Sequence, residues 1–201
     1  MTKVNFVILA AGKGTRMRSA LPKVLHKLSG RSMLGRVVAA VESLGEAKKI
    51  IVTGHGAEQV EQQFKSPMTI FTQQKEQLGT GHAVHMAVPE LCSDAVVIVL
   101  YGDVPLIRPA TIQKILAVVT ESTMGLLTIN LDQPTGYGRI VRNTKGDITE
   151  IIEQKDASVE QLKITEVNTG VLALQSSQLS DWLPKITNNN AQGEYYLTDL
   201  V

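Results

Sequence analysis

VNFVILAAGKGTRM, residues 4–17, joins two signals in fourteen positions. Residues 4–9 (VNFVIL) are β-branched and almost wholly apolar, the pattern of a strand buried on both faces. Residues 10–16 reverse that character: two small residues, then Gly12, Lys13, Gly14, Thr15 and Arg16. Glycines there let the backbone turn tightly or let a ligand come close, and two cations among them point to an anion. The spacing fits neither common phosphate loop. A dinucleotide fingerprint needs glycine or alanine where Met17 stands, and a Walker A loop needs GK[ST] after four intervening residues. Read alone, the loop is equally a glycine-rich turn with solvated cations. Lys23, in LPKVLH seven residues after Arg16, shifts the reading toward phosphate, because a guanidinium can grip a phosphate bidentately and a lysine adds a point charge.

Outward from this stretch, strands and helices alternate. Residues 33–44 carry Met33, Leu34, Val37, Val38, Val41 and Leu44 at helical spacing, with Gly45 as the stop. Residues 49–53 (KIIVT) predict a strand, 57–64 a short helix, 68–72 a third strand, and 82–88 a helix behind Gly79-Thr80-Gly81. Residues 95–100 (AVVIVL) form the most hydrophobic strand, and 112–119 an amphipathic helix. The alternation implies a parallel sheet with right-handed crossovers. After residue 120 the rhythm changes. Strands are expected at 125–131, 139–142, 148–152 and 167–174, separated by PTGYG, TKGD and polar stretches, as in an antiparallel lobe. The expected fold is α/β and Rossmann-like: a mostly parallel central sheet flanked by helices, with a smaller antiparallel lobe.

Composition narrows the partners. The chain has 201 residues, 43% hydrophobic and 19% charged, enough for a substantial core. Its 20 basic and 19 acidic residues leave a net charge of +1, so it exerts no general attraction for nucleic acid or membrane, and any anion must be met by local cations. Cys92 is the single cysteine, which excludes an internal disulfide and fits a reducing compartment. No apolar stretch approaches the ~18–20 residues of a membrane span. The expected location is the cytoplasm.

Further polar clusters fall at strand ends. Asp103, in YGDVPL, comes just after strand 95–100 and shares a sheet edge with the glycine loop. A carboxylate there suits Mg²⁺, which binds through one or two carboxylates plus substrate phosphates; alone, it reads equally as a turn cap before Pro105. Gln74, Gln77 and Gly79–Thr80 could match the edge of a pyrimidine, or be loop polarity with a helix cap. PTGYGR, Glu153, Asn168 in NTG, and NNNAQGEYY carry groups suited to sugar hydroxyls, although each alone reads as a turn. His82 and His85 have the spacing of a metal pair but no acidic or thiolate partner nearby in sequence, which argues against zinc.

Together, LAAGKGTRMRSALPKVLH, EQLGTGHA, YGDVPL, PTGYGRI, NTG and NNNAQGEYYLTD run in order along the whole chain. In this order they closely resemble the N-terminal uridyltransferase domain of the bacterial bifunctional N-acetylglucosamine-1-phosphate uridyltransferase/glucosamine-1-phosphate acetyltransferase family, within the sugar nucleotidyltransferases. The glycine loop and its PK are shared across the wider group; EQLGTGHA and NNNAQGEYYLTD are much more specific. The resemblance implies Mg²⁺-dependent transfer of UMP from UTP to N-acetylglucosamine 1-phosphate, giving UDP-N-acetylglucosamine and pyrophosphate. It assigns Arg16 and Lys23 to catalysis on the triphosphate, and Leu9, Ala10, Ala11, Gly12, Lys23, Gln74, Gln77, Gly79 and Thr80 to the nucleotide. Tyr101, Gly102, Asp103, Gly138, Glu153, Asn168 and Tyr196 fall to ribose and sugar, and Asp103 to the metal. Residues 1–120 would be the nucleotide half and 121–201 the sugar half of one domain. The family's second metal ligand, an asparagine, and its hexapeptide-repeat acetyltransferase domain, through which full-length members trimerise, would both lie beyond Val201. A truncated domain is therefore expected. A CTP- or dTTP-dependent transferase and a non-catalytic nucleotide-sugar-binding module are the competing readings.

Overall fold

The computed structural model describes residues 3–14 and 17–201. In chain order the elements are strand β1 (Lys3–Ala10), the two-residue strands β2 (Lys27–Leu28) and β3 (Arg31–Ser32), helix α1 (Met33–Glu42), β4 (Lys48–Thr53), α2 (Ala57–Phe64), β5 (Thr69–Gln73) and α3 (Thr80–His85). Then come β6 (Ala95–Tyr101), α4 (Pro109–Ala117), β7 (Gly125–Asn130), β8 (Arg139–Arg142), β9 (Ile148–Ile152), β10 (Glu166–Gln175) and α5 (Ser176–Trp182).

β1 explains its own composition. It pairs in parallel with β4 on one side and β6 on the other, so both edges are hydrogen-bonded. Its alternate side chains enter two different cores. Phe6, Ile8 and Ala10 pack with Leu34, Val37 and Val41 of α1, Val60 of α2 and Ile112 of α4. Val7 and Leu9 face the other way, onto Ala83 and Val84 of α3 and Leu179 of α5. A strand sandwiched in this way has no position for water, and every residue from Asn5 to Ala10 is buried. At the start of β4, buried Lys49 reaches out to half-exposed Glu42 at 3.2 Å, tying the end of α1 to the sheet.

The expected α/β class holds, and the sheet's order supplies what periodicity could not. Four parallel strands, β5-β4-β1-β6, are followed by β10, antiparallel to β6; β7 and β8 both pair with β10, and β9 pairs with β8. The antiparallel strands thus continue the same sheet. β10 is its pivot. Leu172 and Ala173 pair with β6 on one edge and with β7 on the other. Further back, Val167 pairs with β7 again and with Arg139 of β8. β6 and β8 therefore share one edge of β10 at opposite ends, and residues 169–171 between them face a gap. Hydrogen bonding is interrupted in that interval, where the β7 register shifts.

Several boundaries differ from expectation. α3 begins at Thr80 and ends at His85, before the short 3-10 turn Val88–Glu90, because Pro89 cannot continue a helix. α4 opens three residues earlier than expected, with Pro109 in its first turn, where a missing N–H costs nothing. α5 carries little periodic signal in sequence and is started by a Gln175/Gln178 capping box. Residues Leu197–Leu200 form a 3-10 turn.

Candidate functional site

β1 and β6 both point their carboxyl ends at the same edge, and the chain leaving each supplies one wall of a cavity of about 290 Å³. Leu9 and Ala10 end β1 and Ala11 and Gly12 follow it, while Tyr101 ends β6 and Asp103 follows that strand. Lys23, Gln74, Gln77, Gly79 and Thr80 close it, with Glu194 from the far end of the chain. Gly102 lines neither this cavity nor its neighbour; its N–H donates to the Leu9 carbonyl at 2.9 Å and so fixes the two strand ends together. Arg16 lies outside the described residues.

Lys23 and Asp103 meet in this cavity. The ammonium stands 2.6 Å from Asp103 Oδ2, and both side chains keep contact with solvent. The two groups that the sequence assigns to phosphate and to metal neutralise each other. Asp103 offers a hard oxygen donor at a cavity wall, and among the described residues no cluster of three His, Cys, Asp or Glu side chains could hold a metal. Asp103 is the residue here that could hold a hard cation such as Mg²⁺, an ion that binds through one or two carboxylates plus substrate phosphates and water.

A second cavity, about 280 Å³, adjoins the first through Thr80, Tyr101 and Glu194. It sits beside the gap in the β10 edge: Asn168, Thr169 and Gly170 come from β10, Gly136–Gly138 from the turn before β8, and Glu153 from just after β9. Asn168 is pinned at both ends. Its N–H donates to the Gly138 carbonyl at 2.9 Å, and its side-chain oxygen accepts from the Gly170 N–H at 2.9 Å. Gly170 has φ +85°, and a Cβ there would collide with the Tyr101 ring, so glycine is what lets the ring come this close to the strand. Burial pushes the Tyr101 phenol far up from its ordinary value, with the Glu153 charge adding to the effect, so it stays neutral. Burial also raises the Glu153 carboxyl, and nearby Asp156, Asp199 and Glu194 push the same way, against a 3.3 Å hydrogen bond from the Thr198 hydroxyl.

The wall formed by residues 134–138 is held from behind. Arg139, 2% exposed, donates to the Tyr137 carbonyl and, at 2.9 Å, to Gln154 Oε1, which also accepts from the Gly136 N–H at 3.0 Å. Tyr196 is buried, with its hydroxyl accepting from Gln192 Nε2 at 2.9 Å.

The two cavities are joined by a clamp between segments far apart in sequence. Tyr195 N–H donates to the Leu78 carbonyl and Gly81 N–H to the Tyr195 carbonyl, both at 2.8 Å. Leu197 N–H donates to the Thr80 hydroxyl at 3.1 Å. Gly79, at φ +113°, is the close-approach point: a Cβ would lie 2.5 Å from the Tyr195 carbonyl oxygen. Gln192, Glu194 and Thr198 line the second cavity, yet sequence reasoning singled out Tyr196 alone in this motif. Their signal was the unbroken polar, glycine-containing run NNNAQGEYYLTD itself.

Residues 6–151 match the MobA-like NTP transferase domain family. The chain belongs to that family. It is a nucleotidyltransferase domain, with the glycine loop and the carboxylate after β6 inside the matched span and most of the second cavity's lining beyond it. The chain is also similar to the "Bifunctional protein GlmU" of Cellvibrio japonicus (strain Ueda107), 54% identical over 198 residues, which is 98% of this chain and 44% of that protein. It thus spans less than half the length of that relative. Two solved structures share the fold. A UDP-glucose pyrophosphorylase complexed with UDP-glucose aligns over 100% of this chain and 85% of its own, with TM-score 0.79 and 16% identity. A putative glucose-1-phosphate thymidylyltransferase from Bacillus anthracis aligns over 98% and 80%, with TM-score 0.76 and 19% identity.

Proposed function

We propose that this domain transfers UMP from UTP to N-acetylglucosamine 1-phosphate in a Mg²⁺-dependent reaction. A phosphate oxygen of the sugar 1-phosphate bonds to the α-phosphorus of UTP, the bond from that phosphorus to the bridging oxygen breaks, and pyrophosphate leaves. UDP-N-acetylglucosamine, a cell-wall precursor, is the other product, and the cytoplasm is the proposed setting. The observation that carries this reading is the pair of adjoining cavities, one lined by a glycine loop, glutamines and the Lys23–Asp103 pair, the other by amide, hydroxyl and carboxylate groups.

Such a transfer needs little covalent work from the protein; it needs alignment and charge. Small residues at 10–12 leave room for the nucleoside against the backbone, and Gln74 and Gln77 stand at the same wall. Lys23 lies where it can turn from Asp103 to a phosphate, with Arg16 as the second proposed cation. Asp103 would hold the metal, which when bound supplies Lewis-acid charge on the phosphate oxygens. Asn168, Glu153, Tyr196 and the backbone at Gly138 surround the space for the sugar. Tyr101, on the border, would separate the ribose from the sugar and keep the reacting phosphates between Lys23 and the second cavity.

Pyrophosphate release, measured with each of four nucleoside triphosphates against N-acetylglucosamine 1-phosphate and glucosamine 1-phosphate, tests the proposal. UTP with the N-acetylated sugar should be strongly preferred. Preference for CTP or dTTP would move the chain to another donor. Tight binding of nucleotide sugar without any pyrophosphate release would make it a non-catalytic binding module.

A further inference from the structure

Gln74 is 3% exposed and lies on the wall of the nucleotide-side cavity. Its amide nitrogen donates to the Gly79 carbonyl at 3.0 Å and stands 3.0 Å from His82 Nδ1. A primary amide has two N–H hydrogens. The first goes to a carbonyl, which can only accept, so the nitrogen's identity is fixed. The second then goes to His82, which must accept at Nδ1 and carry its own hydrogen on Nε2. With both hydrogens used, the polar atom left to face a ligand is Oε1, which has no partner among the described residues.

We infer that His82 is a positioning residue for base selection: by taking the second amide hydrogen it leaves Gln74 as a pure acceptor toward the cavity. An acceptor there suits a pyrimidine with N–H at its third ring position, as in uracil, and opposes cytosine, which carries a lone pair at that position. The inference rests on the proposed use of UTP. Gly79 alone would satisfy one hydrogen and leave the other free to turn toward a base lone pair. His82 is itself steadied. It projects from α3 beside Leu183, Ile186 and Tyr195, with its ring centre 6.5 Å from that of Tyr195.

The test is kcat/KM for UTP and for CTP in the unmodified chain, His82→Leu and His82→Asn, with UDP and CDP affinities from calorimetry alongside. A leucine cannot accept, so the UTP:CTP preference should fall about tenfold, carried mainly by KM and matched by a similar fall in the UDP:CDP affinity ratio. In His82→Asn the side-chain oxygen can stand near the former Nδ1 position, and most of the preference should return. If His82→Leu does not fold, His82→Gln, whose amide reaches toward the Nε2 position instead, carries the same comparison. A folded His82→Leu or His82→Gln with undiminished preference would overturn the role of His82. An unmodified chain that used UTP and CTP equally would overturn the uridine reading, and this inference with it.

Discussion

Glu153 brings stability and binding into opposition at a single side chain. Its carboxyl is partly desolvated and lies among Asp156, Asp199 and Glu194, so folding raises its proton affinity. A carboxyl whose folded pKa exceeds its unfolded value favours folding most below the unfolded value. That contribution is lost as pH rises through the folded pKa. Glu153→Gln removes the ionisation, so thermal unfolding should show a more stable protein above about pH 5, with a flatter pH dependence. The same change should weaken binding of N-acetylglucosamine 1-phosphate about tenfold, since a charged acceptor at the cavity wall becomes an amide. Calorimetry of sugar phosphate binding checks the second half. Asp103 invites the complementary experiment. Asp103→Asn keeps the shape but loses the charge a hard cation needs and the partner of Lys23. The Mg²⁺ concentration for half-maximal pyrophosphate release should rise at least tenfold, with an unchanged circular dichroism spectrum.

Among elements, the turn before β8 and the loop before α3 owe their shapes to distant partners. Arg139 sits under the turn and holds both the Tyr137 carbonyl and Gln154. Arg139→Met fills much of the same volume but leaves those acceptors without their donor, which should cost about 1–3 kcal/mol in chemical denaturation. The KM for sugar phosphate should rise while kcat changes less, because the turn forms a wall of the second cavity. On α3, Thr80→Val is nearly isosteric and removes the acceptor of the Leu197 N–H. It too should lose about 1–3 kcal/mol, with weaker UDP binding. These elements also mark where sequence reading succeeds and where it stops. β1 and β6 were legible because burial on both faces leaves an apolar composition that no other setting tolerates. β10 was legible as a strand, but its place beside β6, β7 and β8 was not, since period-two patterning identifies a buried face and carries no label for the neighbour. Lys23 and Asp103 were each readable from their loops. Their mutual ion pair was not, because eighty positions of sequence separate them and only the sheet edge brings them together.

For the molecule as a whole, the two faces of the sheet have separate cores, while the cavities lie along one edge and depend on both halves. Opening of the clamp would expose buried Tyr196 and Leu197 but leave the strand pairing of the sheet intact, so it should cost less than opening the sheet. Native-state hydrogen exchange should therefore find the Gly81 and Tyr195 amides less protected than those of β1, and protected together. UDP-N-acetylglucosamine should slow both in parallel; independent exchange of the two would show that they do not open as one unit. The clamp also sets a timetable. On the ribosome, Gly79 and Gly81 emerge long before Tyr195 and Leu197, by on the order of ten seconds at ordinary translation rates. During that interval the early parallel strands can collapse on α1 and α2, but the loop that meets Tyr195 has nothing to close it. β10, which joins the parallel strands to β7 and β8, arrives almost as late. The Glu194 wall of the first cavity, and the Tyr195 clamp on the loop before α3, are complete only when synthesis has passed the GEYYLT motif, so the site is finished last by the part of the chain made last.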